Sequence, residues 1–127
     1  MDNKLSESIE NYLETILVLK TESGVVRVKE ISKKSGVSMP SVHTALHLLE
    51  DIGLVSHERY GYVDLTKKGL AEARRIYARH ISLVEFLHEV LGIPSAISER
   101  DACRMEHVIS SETLKRIMTF VQKHKKV

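Results

Sequence analysis

The stretch Val28-Lys29-Glu30-Ile31-Ser32-Lys33-Lys34-Ser35-Gly36-Val37-Ser38-Met39-Pro40-Ser41-Val42-His43-Thr44 decides how the first half of this chain folds. Residues 28–35 read as a short helix with Ile31 inward, and Gly36-Val37 as a tight turn. Ser38 is a natural N-cap for the helix that follows. Pro40 sits in its first turn, where a missing N–H costs nothing. That helix carries Val42, Ala45, Leu46 and Leu49 on one face and stops before Gly53.

Working outward, residues 6–22 place Ile9, Tyr12, Leu13, Ile16, Leu17 and Leu19 at helical spacing behind the N-cap candidate Ser6. Val25 to Val28 form a short extended piece. Residues 54–59 and 62–65 are two strand-like runs joined around Tyr60-Gly61, a hairpin. Three helices followed by a hairpin are the outline of a winged helix-turn-helix. Thr66 then caps a helix predicted over 67–91, with a 3-4 seam of Leu70, Ala73, Tyr77, His80, Val84, Leu87 and Leu91. Gly92-Ile93-Pro94-Ser95 breaks it. A shorter helix is predicted over 99–109, and Ser111 caps a last one with Leu114, Ile117, Met118 and Val121 inward.

The expected fold is mainly α: a winged helix-turn-helix DNA-binding domain over 1–72 and an all-helical domain over 73–127. The second is too small to stand comfortably alone, so dimerisation through it is expected, which would present two reading heads to a two-fold DNA site. The chain has 127 residues, 43 % hydrophobic and 28 % charged, which excludes a disordered or fibrous class. No apolar run is long enough to span a membrane, and the first residues lack a signal peptide's apolar core. A single cysteine rules out an intrachain disulfide, so a reducing cytoplasm is the expected setting. The net charge of +2 permits nucleic-acid binding without announcing it.

Ser38, Met39, Pro40, Ser41, Val42, His43 and Thr44 form the leading turns of the recognition helix. Hydroxyls and the helix N-terminus there suit phosphate, and Val or Met suits a thymine methyl. This helix holds no Arg or Lys, so bidentate reading of guanine is not its method. Arg27, Lys29, Lys33 and Lys34 beside it, with Arg59 and Tyr60 at the hairpin tip, are the expected backbone contacts.

A second constellation lies in Asp101-Ala102-Cys103-Arg104-Met105-Glu106-His107. On a helix, Cys103, Glu106 and His107 stand at i, i+3 and i+4, offering a thiolate, a carboxylate and an imidazole from one face to a divalent metal. His80 interrupts an apolar seam, which is costly without a partner. Asn11 and Glu14 share a face of the first helix. These groups are expected to meet where the two domains join, so that metal capture governs DNA binding.

The chain resembles the DtxR/MntR family of metal-dependent transcriptional repressors over nearly all its length. The resemblance is carried by Ser8-Ile9-Glu10-Asn11-Tyr12-Leu13-Glu14, by Arg79-His80, and by the 101–108 stretch. It implies a homodimer that grips double-stranded operator DNA when Fe(II) or Mn(II) is abundant and shuts down uptake genes. It also implies that Glu14, His80, Cys103, Glu106 and His107 ligate metal. Asn11 matches a position that is Met in the iron-type branch and Asp in the manganese type. Cys103 matches the iron type and Glu14 the manganese type, so the chain is a hybrid. Ligand softness leans toward Fe(II), with Zn(II) or Co(II) binding in vitro. In an ancillary iron-type site around His80, Val84 replaces a carboxylate and Glu99 a histidine, so that site is absent or rebuilt with Glu85. The SH3-like third domain of larger members is not expected.

No small-molecule substrate is expected. A hydrolase is disfavoured, since the chain has no HExxH helix and no Gly-rich pocket loop. The competing reading makes Cys103 a redox or electrophile sensor, its thiolate favoured by Arg104.

Overall fold

The computed structural model describes residues 5–58 and 61–125, which divide into two compact units with the boundary between Arg74 and Arg75. The first unit follows from its caps. Ser6 Oγ accepts the Ile9 N–H at 3.2 Å and opens α1 (Glu7–Ser23), whose face of Ile9, Tyr12, Leu13 and Ile16 is buried. Strand β1 (Val26–Arg27) leads into α2 (Val28–Ser35). Gly36 closes α2 at a φ of 71°, its N–H returning to Ser32 O, a left-handed conformation that glycine adopts without penalty. Ser38 then caps α3 (Met39–Asp51) by accepting the Ser41 N–H at 3.3 Å, and Val42, Leu46 and Leu49 meet Ile31 in the core.

The expected two-stranded hairpin is in fact part of a three-stranded antiparallel sheet, ordered β1-β3-β2. Strand β2 (Val55–His57) pairs with β3 (Tyr62–Leu65), and β3 also takes the extended piece before α2, with Val26 opposite Val63 and Arg27 opposite Tyr62. The reason is register. With Val26, Val55, Val63 and Leu65 turned to the core, β1 satisfies the free edge of β3 while burying its own valine.

Lys20 on α1 hydrogen-bonds Asp64 on β3, and this contact, aided by the Leu65 N–H, holds the Asp64 carboxyl below the usual carboxylate range against the opposing effect of partial burial. A depressed carboxyl stabilises the fold above its unfolded pKa, and the contribution vanishes as pH falls through the lower folded value. Asp64→Asn is therefore expected to cost up to roughly 1 kcal/mol at pH 7, a cost that disappears under strongly acidic conditions, read from urea midpoints across pH.

Helix α4 (Lys67–Glu85) starts at Thr66, whose Oγ1 accepts the Gly69 N–H at 3.0 Å. The seam expected along it is corrected. The buried residues are Ala73, Ile76, His80, Leu83 and Leu87, whereas Tyr77 and Leu91 are exposed and Val84 is only half-buried. Both sets share Ala73, His80 and Leu87 and differ by one residue between them. The branched aliphatics Ile76 and Leu83 take the inner positions, and the amphipathic tyrosine takes an outer one.

The predicted helix over 67–91 also ends differently: its last turn, Phe86–Val90, is π-helical, with the Leu91 N–H reaching back to Phe86 O at 3.1 Å. Helix α5 (Ser95–Met105) begins and ends four residues before the predicted span, because Pro94 fixes the entry and Ser98 N–H bonds Pro94 O. Helix α6 (Ser111–Lys125) is capped by Ser110, not Ser111: the Thr113 N–H donates to Ser110 Oγ at 3.1 Å. The second unit has its own small core of Leu83, Leu87, Ala102 and Leu114, bordered by Phe86, Met105, Ile109 and Met118.

Candidate metal centre

Three of the expected ligands converge within the second unit. Glu106 follows directly on the last residue of α5, with backbone angles still helical (φ −59°, ψ −23°) and its N–H on Ala102 O, so its side chain turns inward; it is 2 % exposed. The His107 side chain is fully buried, its Nε2 3.3 Å from Glu106 Oε1. His80, from the buried face of α4, places Nδ1 3.7 Å from the same oxygen. Glu106 and His107 thus lie in the turn beyond α5 and not within a helix reaching 109, yet they remain near-helical and adjacent.

The electrostatics of this cluster are unusual. His80 Nε2 lies 2.8 Å from Glu99 Oε2. That contact places a proton on Nε2 and turns the other ring nitrogen toward Glu106. Among the described residues, neither Glu106 oxygen accepts a hydrogen bond. A carboxylate buried this deeply without donors is expensive. A proton or a metal ion held between it and the imidazoles relieves the cost. The donor set, carboxylate plus two imidazoles, suits a divalent first-row ion.

The remaining sequence-derived ligands are placed as follows. Cys103 is exposed, one turn earlier on α5, and stands apart from the buried trio in solvent access. On α1, Glu14 is half-buried and Asn11, three residues before it, is exposed. Of the groups considered for an ancillary site, Glu99 serves His80, and Glu85 is taken by Lys125, whose Nζ lies 2.9 Å from Glu85 Oε1. Sequence reasoning missed the role of Glu99 because nothing in local spacing links residues 80 and 99. It also missed Tyr77, whose ring stacks on His80 at 6.3 Å.

On the first unit, Ser38, Met39, Pro40, Ser41, His43 and Thr44 are all exposed at the leading end of α3, and Arg27, Lys29, Lys33 and Lys34 are exposed on and before α2. Val42 is not among them. It is fully buried in the core, so of the two residues considered for a thymine methyl only Met39 is available. Arg27 is more constrained than a solvated cation: its guanidinium lies 4.8 Å over the Tyr62 ring and donates to the Tyr62 hydroxyl at 2.7 Å. Arg59 and Tyr60 lie outside the described residues. Among the described residues, no helix is long and apolar enough to cross a membrane.

Comparison with known proteins matches both halves of the chain. Residues 4–69 fit the iron dependent repressor N-terminal DNA binding domain, and residues 66–126 the iron dependent repressor metal binding and dimerisation domain. The chain is 34 % identical over 122 residues to an HTH-type transcriptional regulator of Methanocaldococcus jannaschii, covering 95 % of this chain and 98 % of that protein. It is 38 % identical over 118 residues to the transcriptional regulator MntR of Escherichia coli, covering 93 % of this chain and 76 % of that one. A solved manganese-dependent transcriptional repressor in complex with manganese superposes with a TM-score of 0.82 at 28 % identity, over 90 % of this chain and 52 % of the solved one. This chain therefore spans about half the length of that solved protein.

Proposed function

This chain belongs to the iron-dependent repressor family of metal-dependent transcriptional regulators, and from that premise we propose that it binds operator DNA as a homodimer when loaded with Fe(II) or Mn(II), repressing metal-uptake genes in the cytoplasm. The family is one of DNA-binding regulators, not of enzymes.

One observation carries the reading: a buried carboxylate, Glu106, faces two imidazoles and accepts no hydrogen bond among the described residues. The ligand set we assign is His80, Cys103, Glu106 and His107, with Glu14 and Asn11 contributed by α1. A bound divalent ion would supply the positive charge this set calls for. The amide of Asn11 is its weakest donor, and the thiolate of Cys103 tilts the preference toward Fe(II) and, in vitro, Co(II) or Zn(II). The DNA contacts we assign are Ser38, Met39, Pro40, Ser41, His43 and Thr44 to groove and phosphate. Arg27, Lys29, Lys33, Lys34, Arg59 and Tyr60 are assigned to the backbone.

Glu99 acts as a positioning residue, since its carboxylate holds the His80 ring with Nδ1 inward. Glu99→Ala is expected to weaken metal binding about tenfold without unfolding the chain, measured by isothermal titration. Unchanged affinity would mean that His80 is oriented by something else.

The decisive experiment is fluorescence anisotropy on DNA from upstream of metal-uptake genes, titrated anaerobically with Mn(II), Fe(II), Co(II) and Zn(II). A metal-dependent rise in affinity supports the reading, and indifference to all four ions overturns it. The exposure of Cys103 favours one second reading, a thiol sensor. Thiol labelling that is slowed by metal supports coordination, whereas fast labelling insensitive to metal supports sensing.

A further inference from the structure

His43, His47 and His57 lie on α3 and β2 of the first unit, and none of them is among the metal ligands assigned above. His43 and His47 stand one turn apart on α3, the i, i+4 spacing that lets two imidazoles close on one ion. His57 ends strand β2 and lies beside His43, their ring centres 6.0 Å apart and their planes inclined by 30°. An ion bonded at about 2.0–2.1 Å to one nitrogen of each ring holds the ring centres roughly 5–6 Å apart, a spacing this pair already matches once its rings turn their nitrogens toward each other. Glu50 adds a carboxylate at the edge, its Oε1 3.8 Å from His47 Nδ1. His47 is 76 % exposed in its side chain and His43 is exposed, so both can swing onto an ion without disturbing the core.

We propose that His43, His47 and His57 form a second cation site, spanning α3 and β2, for ions that seek imidazole: Zn(II), Ni(II) or Cu(II). Three neutral nitrogens with no hard oxygen at the centre discriminate against Mn(II), so the site answers to different metals from a carboxylate-rich one. An ion there ties α3 to the strand that enters the wing and engages His43, which we place on the DNA-facing side. The site shares no residue with the ligand set of the second unit, and either assignment can fail alone.

The test is equilibrium dialysis of the full chain carrying Glu106→Gln and His107→Ala, which removes donors of the second unit. This chain is expected to retain one equivalent of Zn(II) and to ignore Mn(II). Adding His43→Gln and His57→Gln is expected to weaken that Zn(II) binding at least about tenfold. In imidazole NMR spectra, Zn(II) should shift His43, His47 and His57 and leave His88 and His124 unmoved. Absence of bound Zn(II), or retention of it in the quadruple variant, overturns the proposal. If the background chain does not fold, the native chain saturated with Mn(II) serves instead: an added equivalent of Zn(II) that His43→Gln/His57→Gln loses supports the site, and one that it keeps overturns it.

Discussion

Glu106→Gln is expected to raise the metal-free stability of the protein and to abolish the gain that metal brings. The carboxylate is buried, its Oε1 lies 3.3 Å from His107 Nε2 and 3.7 Å from His80 Nδ1, and among the described residues nothing donates to it. Without a bound ion, the carboxyl is desolvated and faces an imidazole whose other nitrogen is engaged by Glu99. An amide of the same shape carries no charge to desolvate and can donate toward His80 Nδ1, a gain on the order of 1–3 kcal/mol. With metal at 100 times its Kd, the native chain gains about 2.7 kcal/mol by mass action, and the variant gains almost none. The two curves of Tm against metal concentration should therefore cross. Calorimetric titration would show affinity reduced by about 100-fold or more. A variant that binds metal as well as the native chain removes Glu106 from the ligand set.

Gly69→Ala is the second large effect, and its sign is the opposite of what helix propensity suggests. Gly69 lies in the first turn of α4, where alanine would ordinarily stabilise a helix by about 1 kcal/mol. A Cβ at this position would stand 1.8 Å from the Leu54 carbonyl oxygen and 2.8 Å from its carbon, both backbone atoms. That carbonyl already accepts the Thr66 N–H at 3.1 Å, while Thr66 Oγ1 donates to Gly53 O at 2.6 Å. Making room means pushing β2's entry away from α4 and stretching both bonds. We expect a net loss of roughly 3 kcal/mol or more, a large part of a marginal stability, read as a lowered urea midpoint. A midpoint equal to or above the native one would show that α4 does not lie this close to Leu54.

The first unit was almost fully legible in the chain. Ser6, Ser38 and Thr66 cap the helices that their spacing predicts, and Gly36 makes the turn between α2 and α3. These are local effects, in which a hydroxyl meets an N–H two or three residues on, and a sequence displays them directly. In that unit, pairing of β1 with β3 and the burial of Val42 were settled by packing; along α4, two local readings were equally good. Ile76 or Tyr77, and Leu83 or Val84, extend the same seam along α4, and only the packing of the second unit chose the aliphatic pair.

The residue types and spacing of 101–107 placed a carboxylate and an imidazole side by side, and the heptad-like pattern set His80 on a buried face; these follow from chain geometry alone. Tertiary structure decided which groups face that carboxylate. It gave Glu99 to His80, Glu85 to Lys125 and Tyr62 to Arg27. Such pairings join residues 19 to 40 positions apart, and their geometry depends on how helices and strands stack, which no local pattern encodes.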